Sequence, residues 1–158
     1  MNMNTEKLII RRAEKSDIPN ILMMIKELAE YEKLLHEVVT TEEHLEKVIF
    51  GPQKFVEVLI AELNGALAGQ TIFFHNFSTF VGRPGLYIED LYVRPEFRGK
   101  GIGKALLNEV IKLAKDRNCG RVEWVVLDWN QPAIEFYKSI GAKPLNEWTI
   151  FRLTEDKF

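Results

Sequence analysis

Gly99, Gly101 and Gly103, set among Arg98, Lys100, Ile102 and Lys104, follow an apolar run and open an amphipathic helical pattern. A glycine lacks a Cβ, so the backbone there can approach a ligand closely, and successive N–H groups at a helix start point their positive ends outward. The stretch reads as a phosphate cradle between a strand and a helix. A P-loop would need glycine at 98 and a hydroxyl residue after the lysine, and the chain has Arg98 and Ala105. The dinucleotide fingerprint also fails, because the glycine it requires falls on Lys104 or on Leu106 according to where it is started. What remains is R-x-x-G-x-G, from Arg98 to Gly103, after a strand.

The surrounding pattern places this loop in a mixed α/β domain. Leu8 to Ile10 is a short apolar strand, and Ser16-Asp17-Ile18-Pro19 marks a helix start with a capping hydroxyl and a proline in the first turn. Ile18, Leu22, Ile25, Leu28 and Ala29 give that helix an apolar face to about Tyr31 or Glu32. Thr40-Thr41-Glu42-Glu43 predicts a capping box for a second helix, stopped by Phe50-Gly51-Pro52. Val56 to Leu63 and Ala66 to Phe74 flank Asn64-Gly65, the pair that supplies the positive φ angles of a type I′ hairpin turn. Leu86 to Val93 forms the strand that delivers the glycine loop. A helix follows to Asn118-Cys119-Gly120, then a strand from Val122 to near Leu127. Ala133 to Ile140 is expected as a short helix and Trp148 to Leu153 as a last strand.

At 158 residues the chain fits one domain spanning 1–158. A net charge of −2 argues against a general nucleic-acid surface, which needs a strong basic excess. Cys119 is the only cysteine, so neither an internal disulfide nor a thiolate zinc site is available, and His36, His44 and His75 lack metal spacing. No apolar run approaches membrane-spanning length, and Met1 to Lys7 is polar. The expectation is a cytoplasmic protein without a metal, a nucleic-acid partner or a membrane span.

The R-x-x-G-x-G loop in this element order resembles the pyrophosphate-binding signature of the GCN5-related N-acetyltransferase (GNAT) family, which acylates amines from acetyl-CoA. The likeness extends over nearly the whole chain. Leu86 to Val93, Asp128-Trp129-Asn130, Phe136-Tyr137 and Ile25 to Glu32 are similar to the diamine acetyltransferase branch, which includes spermidine/spermine and thialysine acetyltransferases. The resemblance implies an α/β fold with a mixed, mostly antiparallel central sheet flanked by helices. It also implies that Leu91, Tyr92 and Val93 pair with the pantetheine arm of acetyl-CoA, while Arg98, Gly99, Lys100, Gly101, Ile102, Gly103 and Lys104 hold its pyrophosphate. Asn130, with Gln131, Pro132 and Ala133, would contact the cofactor from the facing side, and Tyr137 matches the catalytic tyrosine. Tyr31 and Glu32 match substrate-contacting positions, and the branch is typically homodimeric.

The chemistry limits what these positions do. An alkylammonium has a pKa near 10.4, so only about one amine in a thousand is neutral at pH 7.4. A carboxylate must take the proton directly or through water, and Glu89 is the best-placed candidate. In a regular strand Asp90 would point to the opposite face, as an anchor or capping group. Tyr137 would protonate the departing thiolate. Between Lys26 and Glu57 eight glutamates face four lysines, either an acidic surface for a small cationic amine or ordinary solvated helix faces. Trp124 and Trp148 would line the acceptor pocket or simply pack in the core. The competing expectations are a protein or peptide N-acetyltransferase with the same donor site, and a non-catalytic acyl-CoA-binding module.

Overall fold

Two bulges in one mixed, mostly antiparallel sheet set the geometry of the fold. The computed structural model describes residues 5–158, so the first four positions of the polar stretch Met1 to Lys7 lie outside the described residues. The chain divides into two compact units, Met1–Val125 and Val126–Phe158. In the first, β1 (Leu8–Arg12), β2 (Glu57–Leu63), β3 (Ala66–Ser78), β4 (Arg83–Val93) and β5 (Val122–Trp124) lie side by side in sequence order. All neighbours are antiparallel except β4 and β5, which are parallel over Leu86↔Val122, Tyr87↔Glu123 and Ile88↔Trp124. The β2–β3 turn is as the sequence predicts, with Asn64 at φ 52° and Gly65 at φ 80°.

The period-2 alternation of β2 separates two cores. Val58 and Ile60 join Ile18, Ile21 and Met24 of α1 (Ile18–Tyr31), Leu45 and Ile49 of α2 (Glu42–Phe50), and Ile72 and Tyr92. Leu59, Ala61 and Leu63 have the opposite parity and are equally buried. Buried Ile102, Leu106, Leu107, Val110 and Ala114 recur at helical spacing along α3 (Ile102–Asp116), which packs on β4 and β3. One register shift, at Ala61/Glu62 of β2, leaves Ala68 of β3 unpaired. The other pairs Ile72 with Asp90 and Phe73 with Ile88, so Glu89 is the extra residue of β4.

Several caps differ from expectation. Ser16 does not cap α1. Asp17 occupies the cap position, and its carboxylate accepts from Arg11 at 2.7 and 2.9 Å and from the Glu14 N–H at 2.7 Å. Thr41 caps α2 by accepting from the His44 N–H at 3.2 Å, so the hydroxyl is present without the reciprocal glutamate of a capping box. β5 stops at Trp124 rather than near Leu127, because its ladder with β4 ends at Ile88, where β4 bulges.

The second unit contains α4 (Gln131–Ser139), followed by Gly141 at φ 92°. The strand expected at Trp148 to Leu153 is absent. That segment is rich in apolar residues, yet it has no ladder partner among the described residues, and Trp148 and Phe151 are 73% and 93% exposed. Among the described residues no helix is long and apolar enough to cross a membrane. Phe73 is fully buried and Phe80 fully exposed. Phe73→Ala is therefore expected to destabilise by about 3–5 kcal/mol, and Phe80→Ala by less than about 0.5 kcal/mol, in urea unfolding.

Candidate active site

The loop leaving β4 brings two left-handed glycines to the start of a helix. After a short turn at Pro95–Phe97, Gly99 and Gly101 both adopt φ 78°, the left-handed conformation that glycine takes without a Cβ penalty. A Cβ placed at either would meet nothing within 4 Å, so the cradle is open on that side. Gly101 is the N-cap of α3; its carbonyl accepts from the Ala105 N–H at 3.0 Å, and no side chain caps the first turn. The first-turn amides thus point along the helix dipole toward the cradle. Lys100 pairs with Glu6 at 2.5 Å across the loop.

The strand before the loop has an open edge. From Asp90 to Val93 β4 pairs with β3 on one side, while its ladder with β5 has ended at Ile88, so among the described residues the other side has no ladder partner. An extended chain carrying amides can add to such an edge as a strand would. The glycine loop thus offers backbone amides at a helix start, and Leu91, Tyr92 and Val93 offer a strand edge beside it.

The bulge sets the placement of Asp90. In a regular strand Ile88 and Asp90 would share a face. Here Ile88 pairs with Phe73 and Asp90 with Ile72, so the alternation reverses at Glu89 and Asp90 stands on the α1 side with Tyr92. Burial pushes the Asp90 carboxyl up to about 6, with further contributions from Glu89 and Glu32. Burial also raises the Glu32 carboxyl. The Tyr87 phenol is raised by burial, then by Glu89 and Glu123. Glu32, Glu89 and Asp90 therefore share one electrostatic neighbourhood, of which the sequence had assigned only the first two. The signal for Asp90 was the run of two carboxylates inside an apolar strand.

Tyr31 and Glu32 stand where α1 ends sharply. Lys33 takes φ 61°, the Leu34 N–H donates to Ala29 O at 2.7 Å, and the Lys33 N–H donates to Glu30 O at 3.0 Å. This is a Schellman ending with lysine where glycine is usual. Tyr31 is 40% exposed, and the Arg98 guanidinium lies 5.1 Å from its ring centroid. Trp124 closes β5, half-buried rather than in the core. In the second unit, Asn130 precedes α4, Gln131, Pro132 and Ala133 form its first turn, and the Tyr137 and Phe136 rings are 5.5 Å apart. Among the described residues no cluster of three or more His, Cys, Asp or Glu side chains is arranged to hold a metal ion.

Comparison with known proteins agrees with this geometry. Residues 22–142 match the model of the acetyltransferase (GNAT) family. A thialysine N-epsilon-acetyltransferase of Sus scrofa is 40% identical over 156 residues, covering 92% of this chain and 91% of the relative. An L-ornithine N5-acetyltransferase of Arabidopsis thaliana is 33% identical, covering 93% and 84%. Among solved structures, an integron cassette protein from the mobile metagenome of V. cholerae superposes with TM-score 0.78 at 27% identity, covering 95% and 94% of the two chains.

The Asp90 environment has a measurable consequence. A carboxyl whose folded pKa exceeds its ordinary value holds its proton more tightly in the native state, so native stability falls as pH rises from about 4 through about 6. Relative to Asp90→Asn, the wild type should lose on the order of 3 kcal/mol between pH 4 and 7 in urea unfolding. A parallel pair of stability profiles would contradict that environment.

Proposed function

The chain belongs to the GNAT family of N-acetyltransferases, and on that premise we propose that it transfers acetyl from acetyl-CoA to a primary amine of a small cationic acceptor, a thialysine-, ornithine- or polyamine-like molecule. The observation that carries this reading is the common neighbourhood of Glu32, Glu89 and Asp90 beside the open edge of β4. Such a set of carboxyls suits an acceptor that arrives as an ammonium. The likeness to thialysine and ornithine acetyltransferases supports the same acceptor class.

When bound, acetyl-CoA supplies a thioester carbonyl as the electrophile. Backbone groups of Leu91, Tyr92 and Val93 hold the pantetheine arm, and a backbone N–H in this segment stabilises the developing oxyanion. Amides from Gly99 to Lys104 hold the pyrophosphate, with Lys100 and Lys104 adding charge. Glu89 takes the amine proton, directly or through water. Asp90 and Glu32 hold the cationic acceptor, Tyr31 contacts it, and Trp124 walls it.

Asn130, with Gln131, Pro132 and Ala133, occupies the family's cofactor-contact positions. Tyr137 is the matching acid that returns a proton to the departing sulfur. A homodimer in a reducing cytoplasm completes the proposal, supported by the likeness to the diamine branch and by the single cysteine.

Thiol release measured across thialysine, L-ornithine, L-lysine, spermidine and spermine tests this reading. At least one amine should turn over well above background, and Glu89→Gln should lower its kcat by about a hundredfold or more. Turnover confined to lysine-bearing peptides or protein N-termini would favour a protein acetyltransferase, and CoA binding without any turnover would sink the enzymatic assignment of this acceptor site.

A further inference from the structure

Arg98 was expected to meet the pyrophosphate, and its side chain also makes contacts within the chain. Its Nε donates to the Val93 carbonyl at 2.9 Å. Its guanidinium carbon lies 5.1 Å from the centroid of Tyr31 and 5.7 Å from that of Tyr92, both within cation–π range. Tyr92 belongs to the strand segment assigned to the donor, and Tyr31 to the end of the helix assigned to the acceptor. One planar cation therefore touches both halves of the reaction.

The contact does not stand alone. Glu27 and Tyr31 are four residues apart on α1 and share a face. One turn before the Tyr31 contact, Glu27 Oε2 accepts from the Tyr92 hydroxyl at 3.1 Å and from Arg94 Nε at 3.3 Å. The Tyr92 phenol is correspondingly pushed up to about 12, by burial first and then by Glu27. Two successive turns of α1 are thus fastened to the end of β4, one through a carboxylate and the other through a guanidinium. A guanidinium suits the second task because it is weakly hydrated and can offer a flat face to a ring while one N–H serves a carbonyl. A lysine keeps the charge but loses the plane and the Nε donor.

We propose that Arg98 is a positioning residue that fastens Tyr31, and with it the acceptor side, to the donor strand, rather than chiefly a ligand of the donor phosphate. This rests on the reading of Tyr31 as an acceptor contact. Its signature is a split between the two substrates. Loss of Arg98 geometry should weaken the amine far more than the CoA compound, and should do so through Tyr31.

A double-mutant cycle on Arg98→Lys and Tyr31→Leu tests this, read by calorimetric CoA binding, by the KM for the best small amine and by thermal unfolding. Arg98→Lys should leave CoA affinity within about twofold while raising the amine KM about three- to tenfold. Tyr31→Leu should raise KM similarly, and the double variant should be no worse than the poorer single one. Tyr31→Phe, which keeps the ring, should preserve the coupling to Arg98. A tenfold loss of CoA affinity in Arg98→Lys with an unchanged amine KM would overturn the proposal, as would KM effects that multiply. If the wild type turns over no small amine, the acceptor reading fails separately. The fastening is then judged by whether the unfolding temperatures of the cycle are non-additive, and additive shifts would overturn it.

Discussion

The extra residue at Glu89 is the feature on which the rest of the site depends. Up to Ile88, β4 is an ordinary inner strand with β3 on one side and β5 on the other. At Glu89 the alternation reverses and the ladder with β5 is over. One local irregularity then has three effects. It leaves a backbone edge without a ladder partner among the described residues, turns Asp90 toward the side of Glu32 and Tyr92, and leaves Glu89 at the head of that edge. A bulge sacrifices ladder hydrogen bonds, and here those unpaired groups lie where the proposed thioester would rest.

The glycine loop and the end of α1 are then positioned relative to that bulge. The loop follows because β4 feeds directly into the left-handed Gly99 and Gly101 and so into α3, whose packing on β3 and β4 fixes the direction of the first-turn amides. The end of α1 follows because Glu27 and Tyr31 are tied to Tyr92, Arg94 and Arg98. The elements proposed for donor and acceptor are therefore referenced to the same strand end. A small displacement of β4 would be felt by both.

The local parts of this account were legible in the sequence. Asn64-Gly65 announced its turn because only a few residues accept two positive φ angles, and R-x-x-G-x-G announced its cradle for the same reason. Long-range or irregular features were not legible. No residue type marks a bulge at Glu89, so alternation alone could not place Asp90 opposite Ile72 on the side of Tyr92. Lys33 ends α1 in a conformation expected of glycine, enforced by hydrogen bonds to Ala29 and Glu30. The apolar content from Trp148 to Leu153 promised a strand, but a strand also requires a neighbouring edge, which composition cannot supply. Arg98 was assigned to phosphate from its motif, whereas its partners Tyr31 and Tyr92 became visible only through tertiary packing.

Amide hydrogen exchange with and without CoA measures the central claim directly. If the open edge of β4 and the left-handed glycine loop seat the donor, CoA should slow exchange at the amides of Leu91 to Val93 and of Gly99 to Lys104, while those of β1 and β2 stay unchanged. Saturating CoA binding that leaves both segments exchanging as before would contradict the account.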